Sequence, residues 1–502
     1  MAETKGRCWL VGAGPGDPGL LTLRGRDALA QAEVVVFDNL VNRELLVLAP
    51  DAAELIYVGK KPGGHEMPQE KINELLVAHT SAGRRVVRLK GGDPFVFARG
   101  AEEAAALAAV GVAFEVVPGV TSALAGPASA GIAVTRRGVN TEVLVFSGHE
   151  DPATPGGAAR YRALGAVPGT KVMLMGVDRL GGIAACLVEG GAAAETPVAI
   201  VRRATFGDQT VLRGTLADIA ERAAGLRPPA VVVIGDVAAQ SATLDWMRHQ
   251  PLLGRRIAIT RSRATASRLG NELRALGADV LELPMIRREP PADLRQFAEL
   301  VQDAHGYEWI VFTSANGVDA FLAMFDKLYD DAREIGGAKF AAVGAATAER
   351  LKANRFHVDL VVDDFTVESL TAKFRKDTDV ENVKIMVVRP EETAGSLAAD
   401  LTGMGAIVDE AIAYRTVPET EDRTGARSRL VEEGADLVVF TSSSTARNFA
   451  ALALVPPEAV KAASIGPVTT KTLKEHGITP VVEAARHDIA GLVEAISRHF
   501  AR

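Results

Sequence analysis

Cysteine is nearly absent: 502 residues hold two, Cys8 and Cys186. Two thiols cannot build a disulfide framework or a multi-cysteine zinc site. Aromatic residues are scarce at 5%, too few for a base-stacking platform. No apolar run approaches the roughly 20 residues that span a bilayer. The opening residues Met1-Ala2-Glu3-Thr4-Lys5-Gly6-Arg7 lack a basic-then-apolar signal pattern. Basic charge is not in excess, since 56 Lys and Arg face 63 Asp and Glu for a net charge of −7; nucleic-acid binders usually carry the opposite balance. No metal-ligand spacing stands out. These absences lead to the expectation of a cytoplasmic protein that handles small molecules, without membrane, nucleic acid or metal.

What is present is an α/β rhythm. Short β-branched runs (Val34–Phe37, Val86–Leu89, Val143–Phe146, Val231–Ile234, Ile310–Phe312) each precede a turn and an alanine- and leucine-rich stretch. That alternation predicts layered α/β units with largely parallel sheets, whose ligands sit at the carboxyl ends of the strands. A boundary is expected between 245 and 252 and an internal break near Pro118-Gly119. Linkers are expected at Arg287–Pro291 and Arg415–Glu419. The second half repeats itself. Arg261 recurs as Arg389, Gly277 as Gly405 and Phe312-Thr313-Ser314 as Phe440-Thr441-Ser442, all at an offset of 128. Gly344 and Thr347 recur as Gly466 and Thr469 at an offset of 122.

Three glycine-bearing turns follow strands in the first half: Gly12-Ala13-Gly14-Pro15-Gly16-Asp17, Lys90-Gly91-Gly92-Asp93-Pro94 and Pro118-Gly119-Val120-Thr121-Ser122. The first fails as a dinucleotide fingerprint, because Asp17 stands where the third glycine belongs. An acid there repels a pyrophosphate and tolerates a cationic ligand such as a sulfonium. A plain tight turn would use the same glycines. Asp38 and Lys60 add an acid and a base just after strands.

Residues 7–240 resemble uroporphyrinogen-III C-methyltransferases, on the segments Val11–Gly19, Val36–Val41, Val58–His65 with Gln69–Asn73, Arg88–Gly100, Pro118–Ala123 and Val172–Gly176. The resemblance implies S-adenosyl-L-methionine as cofactor, contacted by Pro15, Gly91, Gly92, Asp93, Val96, Thr121, Ser122, Met175 and Ala204. The family usually has glycine at the last position. The resemblance further implies Asp38 as proton acceptor, Lys60 as proton donor and a homodimer formed through this half. The implied substrate carries eight carboxylates, for which arginine forks are suited. His65 and Arg99 are the favoured candidates; Lys61, Arg136 and Arg137 read equally well as solvated surface charges.

Residues 252–502 resemble uroporphyrinogen-III synthases, on Ile259–Arg261, Val311–Gly317, Ala342–Ala348, Ala413–Thr416, Val439–Ser442 and Ile465–Thr469. The resemblance implies closure of hydroxymethylbilane with inversion of its last ring. Tyr414 would assist the departure of water, although a half-buried linker tyrosine is an equal reading. Thr313, Ser314, Ser442, Ser443 and Thr469 supply hydroxyls; Arg261 reads as a fork for a propionate or merely as the cap of a strand.

The expected architecture is therefore α/β. A two-subdomain tetrapyrrole methyltransferase fold over 1–245 (about 1–117 and 118–245) precedes a two-lobed synthase fold over 252–502 (252–287 with 419–502, and 290–415). The expected function is bifunctional, giving precorrin-2 for sirohaem or cobalamin from small-molecule tetrapyrroles. Two rivals remain: a methyltransferase joined to a non-catalytic two-lobed module, and a nicotinamide-dependent oxidoreductase.

Overall fold

The computed structural model describes residues 6–59, 67–239, 244–260, 263–362, 367–392, 396–419 and 421–501. They gather into two compact units, Met1–Pro284 with Glu421–Arg502, and Met285–Thr420. Among the described residues, no helix is long and apolar enough to cross a membrane.

The first sheet holds β1 (Arg7–Gly12), β2 (Val34–Phe37), β3 (Glu54–Tyr57), β4 (Arg85–Lys90) and β5 (Ala113–Val117) in the order β3-β2-β4-β1-β5. All its pairings are parallel. Such a sheet is covered on both faces, so its strands are built around apolar runs. Successive side chains separate cleanly: Trp9, Val11, Val35, Phe37, Val87 and Leu89 enter one core, and Cys8, Leu10, Val34, Val36 and Val86 the other.

The second sheet takes β6 (Val143–Ser147), β7 (Thr170–Leu174), β8 (Pro197–Arg202), β9 (Thr210–Thr215) and β10 (Ala230–Ile234) in the order β6-β7-β10-β8-β9. Here the expectation of parallel strands holds only for β6 and β7; the other three pairings are antiparallel. The segment 203–209 between β8 and β9 is too short for a crossover helix, which leaves an antiparallel return.

The third sheet, again all parallel, orders β11 (Arg256–Thr260), β12 (Asp279–Glu282) and the distant strands β19 (Leu437–Phe440), β20 (Ala462–Ser464) and β21 (Pro480–Glu483) as β12-β11-β19-β20-β21. The fourth, in the smaller unit, comprises β13 (Ile286–Glu289), β14 (Trp309–Phe312), β15 (Lys339–Val343), β16 (Leu360–Val362), β17 (Lys384–Pro390) and β18 (Ile407–Pro418), ordered β13-β18-β17-β14-β15-β16. With β13 set aside, the two sheets have one plan. β11 corresponds to β17, β12 to β18 and β19 to β14, which is the 128-residue offset in three dimensions. Gly277 and Gly405 both turn with positive φ, +91° and +94°, before corresponding strands. Ser314 and Ser442 both cap the helix after corresponding strands.

Two expected linkers are strands. Residues 286–289 and 415–418 pair antiparallel as β13 and the end of β18. Their charge disguises them: Glu289 is reached by Arg415 across the pair at 2.6 Å and by Arg287 along its own strand at 2.7 Å, so the polar face is satisfied by ion pairing rather than by solvent alone.

Candidate functional site

The three glycine turns of the first sheet meet at the carboxyl ends of β1, β4 and β5. Gly14 and Gly92 exchange backbone hydrogen bonds of 3.2 and 2.7 Å. A side chain on Gly119 would place its Cβ 2.3 Å from the Gly92 carbonyl oxygen, and one on Gly12 would lie 2.5 Å from the Gly119 Cα. Only glycine allows these loops to cross. Asp93 ties the crossing, accepting from the Phe95 N–H at 2.8 Å and the Gly119 N–H at 3.0 Å. Asp17 caps the 3-10 turn at Pro18–Leu20, and its N–H donates to the Thr205 hydroxyl.

A cavity of about 800 Å³ opens on this crossing. Its walls include every position assigned to cofactor (Pro15, Gly91, Gly92, Asp93, Val96, Thr121, Ser122, Met175, Ala204), together with Asp38 and Arg99. Lys60 and His65, with Lys61, lie outside the described residues. Arg136 and Arg137 are exposed and do not line the cavity. Ala204, the departure from the family's glycine, is buried. Backbone strain concentrates here as well. Among the described non-glycine residues, eight have positive φ, and four of them (Phe97, Arg99, Met175, Arg203) line this cavity; such cost persists where surrounding structure imposes it, commonly at binding sites.

Beneath Asp38 lies a charge cluster that the sequence did not announce. Val34, Val36 and Asp38 share one face of β2, and Val86, Arg88 and Lys90 the same face of β4, with Val36 opposite Arg88. Arg88 is buried and donates to Asp38 Oδ2 at 3.1 Å and to Glu103 Oε1 at 3.0 Å. Lys90 Nζ donates to the same Glu103 oxygen at 2.9 Å, as does Gln69 Nε2 at 3.2 Å. Two cations and two carboxylates thus balance in the interior, the arrangement that makes buried charge tolerable. Burial, then the Arg88 charge, holds the Lys90 ammonium below its ordinary range. Asp38 also accepts the Leu40 N–H at 3.1 Å, so its carboxylate is fixed by a buried cation and a backbone amide while facing the cavity. This suits a proton acceptor. The signal available in sequence was charge at period two within the apolar run Arg85-Val86-Val87-Arg88-Leu89-Lys90. Cys8 lies on the same face as the cluster; burial pushes its thiol up to about 12, which leaves it inert as a nucleophile.

In the smaller unit, Tyr414 is a buried residue of β18, not a linker side chain, and its hydroxyl lies 3.1 Å from Ser314 Oγ. Ser314 also accepts the Gly317 N–H at 3.1 Å as cap of the helix Ala315–Leu328. Thr313 donates to the Val388 carbonyl at 3.2 Å. In the larger unit, Ser442 caps the helix Ser443–Leu452, with Ser444 Oγ at 2.9 Å, and Ser443 donates to the Val468 carbonyl. Thr469 is buried in the first turn of the helix Pro467–Glu475 and offers almost no surface to a ligand. Arg261 lies outside the described residues.

Residues 7–220 match the family model of tetrapyrrole (corrin/porphyrin) methylases, and residues 267–494 that of uroporphyrinogen-III synthase HemD. The porphyrin biosynthesis protein HemD of Ruminiclostridium josui is 33% identical over 492 residues, covering 97% of each chain. An S-adenosyl-L-methionine-dependent uroporphyrinogen III methyltransferase of Methanosarcina barkeri is 49% identical over 239 residues, 47% of this chain and 94% of that protein. Among solved structures, the uroporphyrin III C-methyltransferase of Thermus thermophilus is 42% identical over 46% of this chain and 98% of its own, with a TM-score of 0.40. The chain belongs to the tetrapyrrole methylases through its N-terminal half and to the uroporphyrinogen-III synthases through its C-terminal half, as a fusion of the two.

Proposed function

We propose that the two halves act in sequence on one macrocycle. The chain is a bifunctional tetrapyrrole enzyme: its C-terminal half closes hydroxymethylbilane to uroporphyrinogen III, and its N-terminal half methylates that product twice to give precorrin-2. The working division is 1–245 and 252–502, with synthase lobes of 252–287 plus 419–502 and 290–415. A cytoplasmic homodimer, paired through the methyltransferase half, belongs to the same reading; sedimentation of the whole chain tests it.

The observation that carries the methyltransferase reading is that eleven residues singled out from the sequence and its family resemblance line one cavity. Its lining fits S-adenosyl-L-methionine. Gly92, at φ +67°, would have nothing nearer than 3.8 Å to an added Cβ, so ligand atoms can approach its backbone. Thr121 and Ser122 open a helix beside it. Acids (Asp38, Glu44, Asp178) and bases (Arg43, Arg99, Arg203) both line the walls, which suits a cationic donor next to an anionic macrocycle. When bound, the donor supplies an electrophilic methyl group on sulfur. The cavity's part is alignment, which converts a bimolecular encounter into a near-unimolecular step. With the donor held there, its methyl group would pass from sulfur to a ring carbon, and Asp38 is placed to take the proton that the alkylated macrocycle then gives up. Arg88 holds that carboxylate in position.

For the synthase, Tyr414 and Ser314 form a hydroxyl pair that can donate to the departing hydroxyl of the bilane and so favour ring closure at the substituted carbon. Ligand-induced thermal shifts on the whole chain test the cavity directly. S-adenosylhomocysteine is expected to raise the unfolding temperature by several degrees at saturation, as ligand linkage requires, and NADH to leave it unmoved. The reverse pattern would return the oxidoreductase reading.

A further inference from the structure

The methyl-transfer cavity is not walled by the methylase family region alone. Val280, Leu281 and Glu282 of β12, and Thr424, Ala426 and Arg429 from the start of the helix Ala426–Glu433, line the same space as Asp38 and Met175. These six belong to the synthase family region, within the same compact unit. The seam that brings them there is closely built. The Gly254 N–H donates to the Gly207 carbonyl at 2.6 Å, and a Cβ on Gly207 would collide with the Asp279 backbone nitrogen at 2.1 Å. Arg423, its side chain 6% exposed, pairs with Asp51 at 2.8 Å and donates to the Pro50 carbonyl at 3.1 Å. Arg274 pairs with both Glu44 and Glu282, so an acid on each side of the seam shares one half-buried cation.

We propose that β12 and the start of the helix Ala426–Glu433 complete the macrocycle subsite of the methyltransferase, with Thr424 as wall and Arg429 as a fork for a substrate carboxylate. Arg429 is suited to this. Asp279 and Glu433 hold its Nη2 at 2.9 and 3.1 Å, and among the described residues its Nη1 has no partner. Its guanidinium is thus fixed in direction with donors left over, the state in which a carboxylate is bound at least entropic cost. Burial works against its charge, but Asp279 and Glu433 outweigh that and push its proton affinity above the ordinary arginine range, so the fork stays charged at every working pH. In a fused chain this makes part of one enzyme a recognition element of the other. The inference rests on the methyltransferase reading above.

The test uses full-length chains supplied with uroporphyrinogen III and S-adenosyl-L-methionine. Thr424→Trp fills the wall, and Arg429→Lys keeps the charge while losing the planar fork. Thr424→Trp is expected to raise the methylation KM for uroporphyrinogen III at least tenfold, and Arg429→Lys about fivefold. kcat, S-adenosylhomocysteine affinity and turnover of hydroxymethylbilane should stay within twofold; retained bilane turnover also reports that each variant folds. If both KM values match the parent chain, the proposal is overturned. A variant that loses bilane turnover is set aside, and the other decides alone. Failure of the parent chain to methylate uroporphyrinogen III would instead sink the underlying reading of the cavity.

Discussion

At the scale of single residues, the account turns on how Asp38 is held. Arg88 and the Leu40 amide fix its carboxylate, and an asparagine can keep the amide contact while losing the ability to take a proton. Asp38→Asn should therefore lower methylation kcat by at least about a hundredfold and leave S-adenosylhomocysteine affinity within twofold; calorimetric titration beside a turnover assay checks both, and unchanged turnover would remove Asp38 from the mechanism. Tyr414→Phe deletes the hydroxyl contact to Ser314 at a stability cost of about 1 kcal/mol. It is expected to shift the product of bilane closure toward the unrearranged isomer, read by chromatography of the oxidised porphyrins; an unaltered isomer ratio would reassign Tyr414 to packing. The glycine turns and Asp38 can be read beside strand ends in the sequence, whereas the individual cofactor positions and the role of Asp38 come from the family resemblance. Arg88, Lys90 and Glu103 were not legible. Charges alternating along a strand read as a solvated face, and only the helix Gly100–Ala109, by bringing Glu103 onto them, turns that face inward.

Among the elements, the glycine crossing tolerates little change. A methyl group on Gly119 meets the Gly92 carbonyl oxygen, and since both partners are backbone, neither can move without shifting a strand end. Gly119→Ala is expected to cost roughly 1–3 kcal/mol and to weaken S-adenosylhomocysteine binding more than tenfold, while Gly111→Ala, which has nothing within 4 Å, should leave binding unchanged and cost only the strain of its positive φ. Equal binding in both variants would contradict a ligand site at the crossing. The parallel strands announced themselves because burial on both faces forces apolar runs, and the 128-residue repeat carried the shared plan of the third and fourth sheets. The pair β13–β18 escaped because short antiparallel strands with paired charges look like connecting segments, and the return of β8 to β9 because an apolar strand does not show its direction. In β13–β18 the charge that hid the strands also pairs across them.

On the scale of the whole molecule, the seam between the two family regions has a titratable centre. Burial raises the Glu44 carboxyl to about 7, with Glu282 and Asp279 adding to the shift and Arg274 and Arg429 opposing it. A group whose proton is held more tightly in the folded chain contributes stability below its unfolded pKa of 4.5 and loses it as pH rises through 7. The shift corresponds to roughly 3 kcal/mol. Asp279 titrates in the opposite sense, its carboxyl lowered by Arg429 and Arg256 against the cost of burial, so its contribution changes only at more acidic pH. Glu44→Gln should therefore unfold at a higher temperature than the parent at pH 8 and at the same temperature near pH 5; parallel curves at both would show that Glu44 does not titrate in this range.

The central claim is that one chain performs two consecutive reactions on the same macrocycle. It is tested most directly by giving the whole protein hydroxymethylbilane and S-adenosyl-L-methionine labelled in its methyl group, then identifying the product by mass and isomer type. The expected product has an inverted last ring and two labelled methyl groups. An unrearranged macrocycle, or a rearranged one without label, would contradict it.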